Sequence, residues 1–276
     1  MAANIEVRNG VASFFGTVPA WHQLGQIVDG AQSWQEAMRL AQLDWTVDKH
    51  QLMSPIDGSF VDSWGIFRND NYEMLGAVGS GYTPIQNEYA FNFVDSLIGE
   101  ENKAHYVSAG ALGNGEVIWC LAQIGDGFEV VAGDKSDTYL LFTTSHDGSK
   151  SATCKLTTVR VVCNNTLNQA LRMQGESTRI KHTKNAEVKF NAAKELISTA
   201  TDKINDLEWK LRELSKRKVN KQSMTSIMKK LYGDYEESKR SENKVVEILE
   251  LFESNDNDTF KQIRGTGYNL LKCVLS

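Results

Sequence analysis

Between residues 150 and 194 the chain carries nine cations, Lys150, Lys155, Arg160, Arg172, Arg179, Lys181, Lys184, Lys189 and Lys194, against two carboxylates, Glu176 and Glu187. That local +7 stands in a chain of net charge −5, so the remainder is −12. A basic segment in an acidic protein is the electrostatic footprint of a phosphate-backbone binder. Its densest part, Arg179-Ile180-Lys181-His182-Thr183-Lys184, gathers cations, a hydroxyl and an imidazole. Asn164, Asn165, Asn168 and Gln169 add neutral donors. Such groups contact phosphates, and the binding they give weakens with salt. The candidate backbone contacts are Lys155, Arg160, Arg172, Arg179, Lys181 and Lys184, with Asn164 and His182 as lesser members. The competing reading is a solvated charged surface paired with acidic helices.

Other constellations point to weaker chemistry. Ser145-His146-Asp147 contains the residue types of a serine triad, but adjacent residues do not form a relay, and Asp147-Gly148 reads as a turn. Glu187-Val188-Lys189 and Glu208-Trp209-Lys210 match a short nuclease element. Both fall on expected helix, where side chains two apart diverge. A nuclease also needs converging carboxylates, for which Asp126, Asp134 and Asp137 are candidates without a supporting pattern. Gly76-x-x-Gly79-x-Gly81 and Gly110-x-x-Gly113-x-Gly115 lack the dinucleotide-binding order and read as hairpin turns. Gly133-Asp134-Lys135-Ser136 only echoes the end of a phosphate loop. The four cysteines, Cys120, Cys154, Cys163 and Cys273, have no metal-binding spacing and read as reduced apolar fillers. No cofactor or metal is expected. Trp21, Trp45, Trp64, Trp119, Tyr82 and Tyr106 could stack on bases, although core packing is the expectation for each.

The elements that must position these residues are of two kinds. Ser33, with Glu36 three residues on, has capping-box spacing ahead of a helix over 33–43. Alternating runs at 45–52, 60–67 and 73–78 predict strands. Asn87 is placed to cap a helix carrying Ala90, Phe93, Val94, Leu97 and Ile98. Further strands are expected at 105–112, 116–123, 128–132, 138–145 and 152–162, separated by Gly113-Asn114-Gly115, Gly125-Asp126-Gly127 and Asp147-Gly148. A helix over 164–173 follows, capped by Asn164 or Asn165. From residue 185 the pattern is helical. Ala186, Phe190, Ala193, Ile197, Ala200, Ile204, Leu207, Leu211 and Leu214 form a heptad seam, which predicts a helix of about 43 Å. It must pack on another helix, on the sheet or on a neighbouring subunit, with an internal helical bundle as the leading expectation. Shorter helices are expected at 223–232 and 241–252, and an apolar segment at 259–276.

The fold class is therefore α+β: an antiparallel β-rich N-terminal half with two short helices, then a helical C-terminal half. Residues 1–175 would form the sheet domain and 185–276 a helical region packed on it or mediating self-assembly. The 276 residues contain 41% hydrophobic and 24% charged residues, which excludes global disorder and a fibre. No apolar run approaches the roughly 18 residues of a membrane span. The first residues lack a signal-peptide layout, so a cytoplasmic setting is expected.

Several segments together resemble a known family. They are Trp21-His22-Gln23-Leu24-Gly25, Gly79-x-Gly81-Tyr82-Thr83-Pro84-Ile85-Gln86-Asn87, Arg160-Val161-Val162-Cys163-Asn164-Asn165-Thr166-Leu167, Arg179-Ile180-Lys181-His182-Thr183 and Arg264-Gly265-Thr266-Gly267-Tyr268-Asn269. They are similar to the phage/plasmid-like family called domain of unknown function 932. The resemblance implies a host-cell setting among genes of mobile elements. In outline the strand-rich half and long helices are also similar to Rad52-like single-strand annealing proteins, an architectural analogy only. The expectation is a non-enzymatic single-stranded-DNA-binding, annealing or recombination protein that forms a homo-oligomer. The alternatives are an anti-defence or host-takeover protein acting through its acidic surface, and a metal-dependent nuclease.

Overall fold

Residues 117–122, Val-Ile-Trp-Cys-Leu-Ala, offer no polar side chain to either side of a strand, which demands a sheet covered on both faces. The computed structural model, described over residues 3–98, 105–132, 134–173, 177–186, 190, 200–253 and 262–275, meets that demand. In chain order the elements are β1 (Val7–Arg8), β2 (Val11–Ala12), β3 (Phe14–Gly16), β4 (Gln26–Ile27), α1 (Trp34–Leu40), β5 (Val47–Met53), β6 (Phe60–Arg68) and β7 (Met74–Val78). Next come α2 (Asn87–Ile98), β8 (His105–Leu112), β9 (Val117–Glu129), β10 (Lys135–Ser145), β11 (Ala152–Thr157), α3 (Asn164–Arg172) and β12 (Ser177–Ile180). The last helices are α4 (Ala200–Lys216), α5 (Lys221–Tyr232), α6 (Lys239–Glu253) and α7 (Gly267–Leu275). The protein is α+β.

The main sheet has seven strands in the order β12-β11-β10-β9-β8-β3-β4. β3 and β4 pair in parallel, while β8 with β3, β8 with β9, β10 with β11 and β11 with β12 are antiparallel. A separate antiparallel sheet runs β5-β6-β7. Along β9 and β10, Ile118, Cys120, Ala122, Leu140 and Phe142 face one core with residues of α1 and α2. Trp119, Leu121, Tyr139 and Leu141 face the other, under Leu167 and Ala170 of α3. Strict alternation between two apolar layers makes a one-residue slip costly.

Local expectations change at β9, at α2 and at β11, where the strand expected over 152–162 ends at Thr157. β9 runs unbroken through Gly125 and Gly127, so Gly125-Asp126-Gly127 is not a hairpin turn; both glycines adopt positive φ within the strand. Asn87 does not cap α2. It is buried as the first helical residue, and its amide donates to the carbonyls of Leu43 (3.0 Å) and Trp45 (3.2 Å).

Contacts divide the chain into one unit of residues 1–126 and 137–201 and a second of 127–136 and 202–276. Within the second, Met224, Met228, Val245, Ile248, Phe252 and Leu270 form one core. Val130, Ile263 and Tyr268 form another, with Leu211 and Leu214 of the heptad seam packed against it. Buried Asp134 accepts from the Tyr268 hydroxyl at 2.7 Å and pairs with Lys272 at 2.9 Å, so residues 127–136 are tied to α7 by a polar clasp. The seam positions Ala193 and Ile197 lie outside the described residues.

Candidate nucleic-acid interface

Register brings Lys155 and Arg179 of the basic segment onto one face of the sheet, whereas Lys181 and Lys184 follow β12 and line neither of the grooves there. Thr143 pairs with Thr153 across β10 and β11, and Thr153 with Arg179 across β11 and β12. Directly paired residues share a face, so the three side chains form a row. With Ser149, Lys150, Ser151 and Leu171 they line a groove of about 280 Å³ that has no carboxylate in its lining. Thr143 and Thr153 are its buried floor; Ser149 and Arg179 are exposed at its rim.

α3 forms the adjoining wall. Cys163 caps it, rather than either asparagine, and Thr166 closes the turn by accepting from the N–H groups of Val162 (2.9 Å) and Cys163 (3.0 Å). Leu167, Ala170 and Leu171 point into the core. The opposite side, Asn165, Asn168, Gln169 and Arg172, follows helical spacing and with Met173 lines a second groove of about 540 Å³, again without a carboxylate. Each groove takes part of its lining from the end of this helix, Leu171 in the first and Arg172 with Met173 in the second.

Lys155 fixes that end. It is buried, and its ammonium donates to the carbonyls of Leu171 (3.3 Å) and Met173. A cation at a helix C-terminus meets both the unpaired carbonyls and the negative end of the dipole. Burial first, and then the Arg179 charge, hold the Lys155 pKa below its ordinary value. Lys155 and Arg179 therefore share one positive field.

The eight candidate residues separate into two sets. Arg172, Arg179, Lys181 and Lys184 are exposed, and among the described residues none is ion-paired. The other four are engaged inside the fold. Lys155 holds α3. Arg160 donates to the carbonyl of Val18, and burial lowers its pKa. The side-chain oxygen of Asn164 accepts from Asn168 at 3.2 Å. His182 is buried beneath Tyr82, with rings stacked at 4.7 Å, and its Nε2 meets the Thr144 hydroxyl at 3.1 Å. Lys150, a cation of the basic segment outside the candidate set, and the hydroxyls of Ser149 and Ser151 also line the groove; the turn Asp147-Gly148 delivers all three.

Two pairs of distant segments meet in space. Tyr82 donates to the Ser145 carbonyl at 2.8 Å, and Thr83 N–H to the His182 carbonyl at 3.0 Å, which joins 79–87 to 179–183. Beside them buried His146 meets the Asn87 side-chain oxygen through Nε2 at 2.9 Å. Both Asn87 amide hydrogens are already donated, so His146 is the donor and carries its proton on Nε2. Similarly His22 Nδ1 accepts from Leu24 N–H (3.1 Å), so Nε2 is the nitrogen that donates to the Val162 carbonyl (2.9 Å). That bond ties 21–25 to 160–167.

The remaining motifs are accounted for by neighbours. Ser145 Oγ exchanges hydrogen bonds with the backbone of Lys150, and His146 with Asn87, so Ser145-His146-Asp147 is not a relay. Glu208 pairs with Arg212 and Lys210 with Asp206 along α4. Glu187-Val188-Lys189 lies outside the described residues. All four cysteines are buried thiols outside any disulfide. Among the described residues no three His, Cys, Asp or Glu side chains are gathered for a metal, and no helix is long and apolar enough to cross a membrane.

Fold and surface together define an α+β protein with a basic, hydroxyl-rich groove on one face of a mixed sheet. The chain belongs to the family described as Domain of unknown function (DUF932), whose family model matches residues 74–275 and so takes in α3 and both grooves. Comparison with curated proteins finds no match, and comparison with solved structures finds none either.

Proposed function

We propose that this chain binds single-stranded DNA and promotes strand annealing or recombination for a phage or plasmid, as a self-assembling oligomer that makes and breaks no bond. The observation that carries this reading is the pair of grooves beside the end of α3 whose linings hold Lys150, Arg172 and Arg179 with hydroxyls and amides but no carboxylate. In a chain of net charge −5 such a surface needs a reason. A polyanion supplies one: cations and hydroxyls satisfy its phosphates, while the acidic remainder repels indiscriminate adsorption. Arg172, Arg179, Lys181 and Lys184 are the contact set, with Lys150 added. Lys155 sets the field beneath them. The mobile-element setting and the annealing activity rest on the family resemblance and on the architectural analogy.

The test is a binding titration of the whole chain with a labelled single-stranded oligonucleotide at about 50 and 200 mM salt. The affinity should fall steeply between the two. Neutralising Arg179, Lys181 and Lys184 to glutamine should reduce the salt slope by about 2, since each single-strand phosphate contact contributes about 0.7. Lys229→Gln, Lys230→Gln and Lys239→Gln together, on α5 and α6, are the control that removes the same three charges. Absence of binding at both salts, or a slope unchanged by the triple substitution, would overturn the reading.

A further inference from the structure

We infer that Trp21 is a base-stacking platform at the N-terminal end of α3, so that the interface grips a strand by its bases as well as its phosphates. This deepens the nucleic-acid reading and rests on it. Trp45 and Trp119 are buried, at 4% and 0% exposure, whereas Trp21 is 62% exposed. Its position is nevertheless fixed. The His22 ring meets the indole edge-on at 5.5 Å and Phe14 at 5.3 Å, and His22 itself is bonded at both nitrogens. Gly25, at φ 81°, lets the loop turn back so close to Phe14 that any Cβ would collide with its carbonyl. His22 Nε2 donates to the carbonyl of Val162, the residue before the cap of α3, at 2.9 Å, so the loop that carries Trp21 is tied to that end of the helix. An exposed indole anchored this way presents a face without losing rotamer freedom on binding.

From that indole the exposed side of α3 leads through Asn165, Asn168 and Gln169 to Arg172 and on to the groove of Lys150 and Arg179. Nine helical residues span about 13 Å, the length of about four stacked nucleotides at roughly 3.4 Å each. Aromatic face, amide donors and acceptors, then cations is the sequence of groups that an unpaired strand can satisfy with base face, base edge and phosphate. In a duplex the base faces are occupied by stacking on both sides, so the indole favours single strands.

Three probes test the inference on the full chain: an oligo-dT strand, an abasic strand of equal length, and a duplex. Oligo-dT should quench tryptophan emission. Trp21→Ala should weaken oligo-dT binding by about 5- to 100-fold, the usual effect of losing one stacking aromatic. Trp21→Phe should recover most of that loss. Affinity for the abasic strand and for the duplex, and the salt slope, should be the same in all three proteins. Wild-type affinity for oligo-dT retained by Trp21→Ala would overturn the inference while leaving the groove reading intact. So would an equal loss on the abasic strand, which would mark Trp21 as merely structural. Failure of the wild-type chain to bind any of the probes would overturn both.

Discussion

His146 has a neutral, buried imidazole, and its Nδ1 meets no partner among the described residues. Burial, then the neighbouring His182, pulls its pKa down to about 3; burial lowers that of His182 as well. A histidine whose folded pKa is depressed resists protonation in the folded state but takes a proton on unfolding. The contribution of His146 is therefore complete above the unfolded pKa of about 6.5 and is lost as pH falls from there toward about 3, at roughly 1.4 kcal/mol per pH unit. Urea unfolding at about pH 7.5 and about pH 5 should show this loss, and His146→Gln should reduce it; an equal drop in both proteins would contradict the assignment. Arg68 has the other demanding environment. Its guanidinium lies over Trp45 at 4.0 Å, bonds Asp70 through two nitrogens, and meets Glu6 and the Asn114 carbonyl. Glu6 and Arg68 are both buried. Arg68→Met strands the Glu6 charge, so a loss of about 3–5 kcal/mol is expected in chemical denaturation.

α3 is the element on which the interface depends, and its orientation comes from both ends. Thr166 closes the start and Lys155 holds the finish. Lys155→Met keeps the buried stem but removes the ammonium. It should cost about 1–3 kcal/mol and should weaken oligonucleotide binding more than an exposed lysine does, because Arg172 loses its fixed position along with the local field. Amide exchange at 167–173 should then accelerate relative to β9; unchanged exchange there would show that the helix end is held otherwise. α1 shows an element that is decided locally: Ser33 caps it by accepting from Glu36 N–H at 3.2 Å, as the spacing predicts. β9 shows the reverse. Gly125-Asp126-Gly127 has turn chemistry, yet the strand continues through it, past the end of its pairing with β8 at Gln123.

Across the whole molecule, the two units carry different loads. The first holds the grooves, and the second is built from α4 to α7 around the clasp on Asp134. Tyr268→Phe removes one buried hydrogen bond from that clasp, about 1–2 kcal/mol. Amide protection should fall in 262–275 and remain unchanged at 105–112; a uniform fall would mean that the units unfold as one. If self-assembly accompanies binding, light scattering should report a mass above the 30.8 kDa of one chain, and the mass should rise when single-stranded DNA is added.

Much was legible in the residues alone: the α+β class, the helix capped at Ser33, the hairpin turn at Gly113-Asn114-Gly115 and the basic excess of 150–194. Each depends on chemistry within a few positions. Which cations of that excess stay free was not legible. Lys155 and Arg179 are both strand residues of one basic run, and only the register among β10, β11 and β12, with α3 laid over them, buries the first and opens the second. His182 sits in the densest basic stretch, and Tyr82, a hundred residues earlier, covers it. Trp21 resembles the core tryptophans in type, and its exposure follows from where His22 and Gly25 turn the loop. A side chain's charge or ring is a local property, but its solvation is set by partners that only long-range packing brings near.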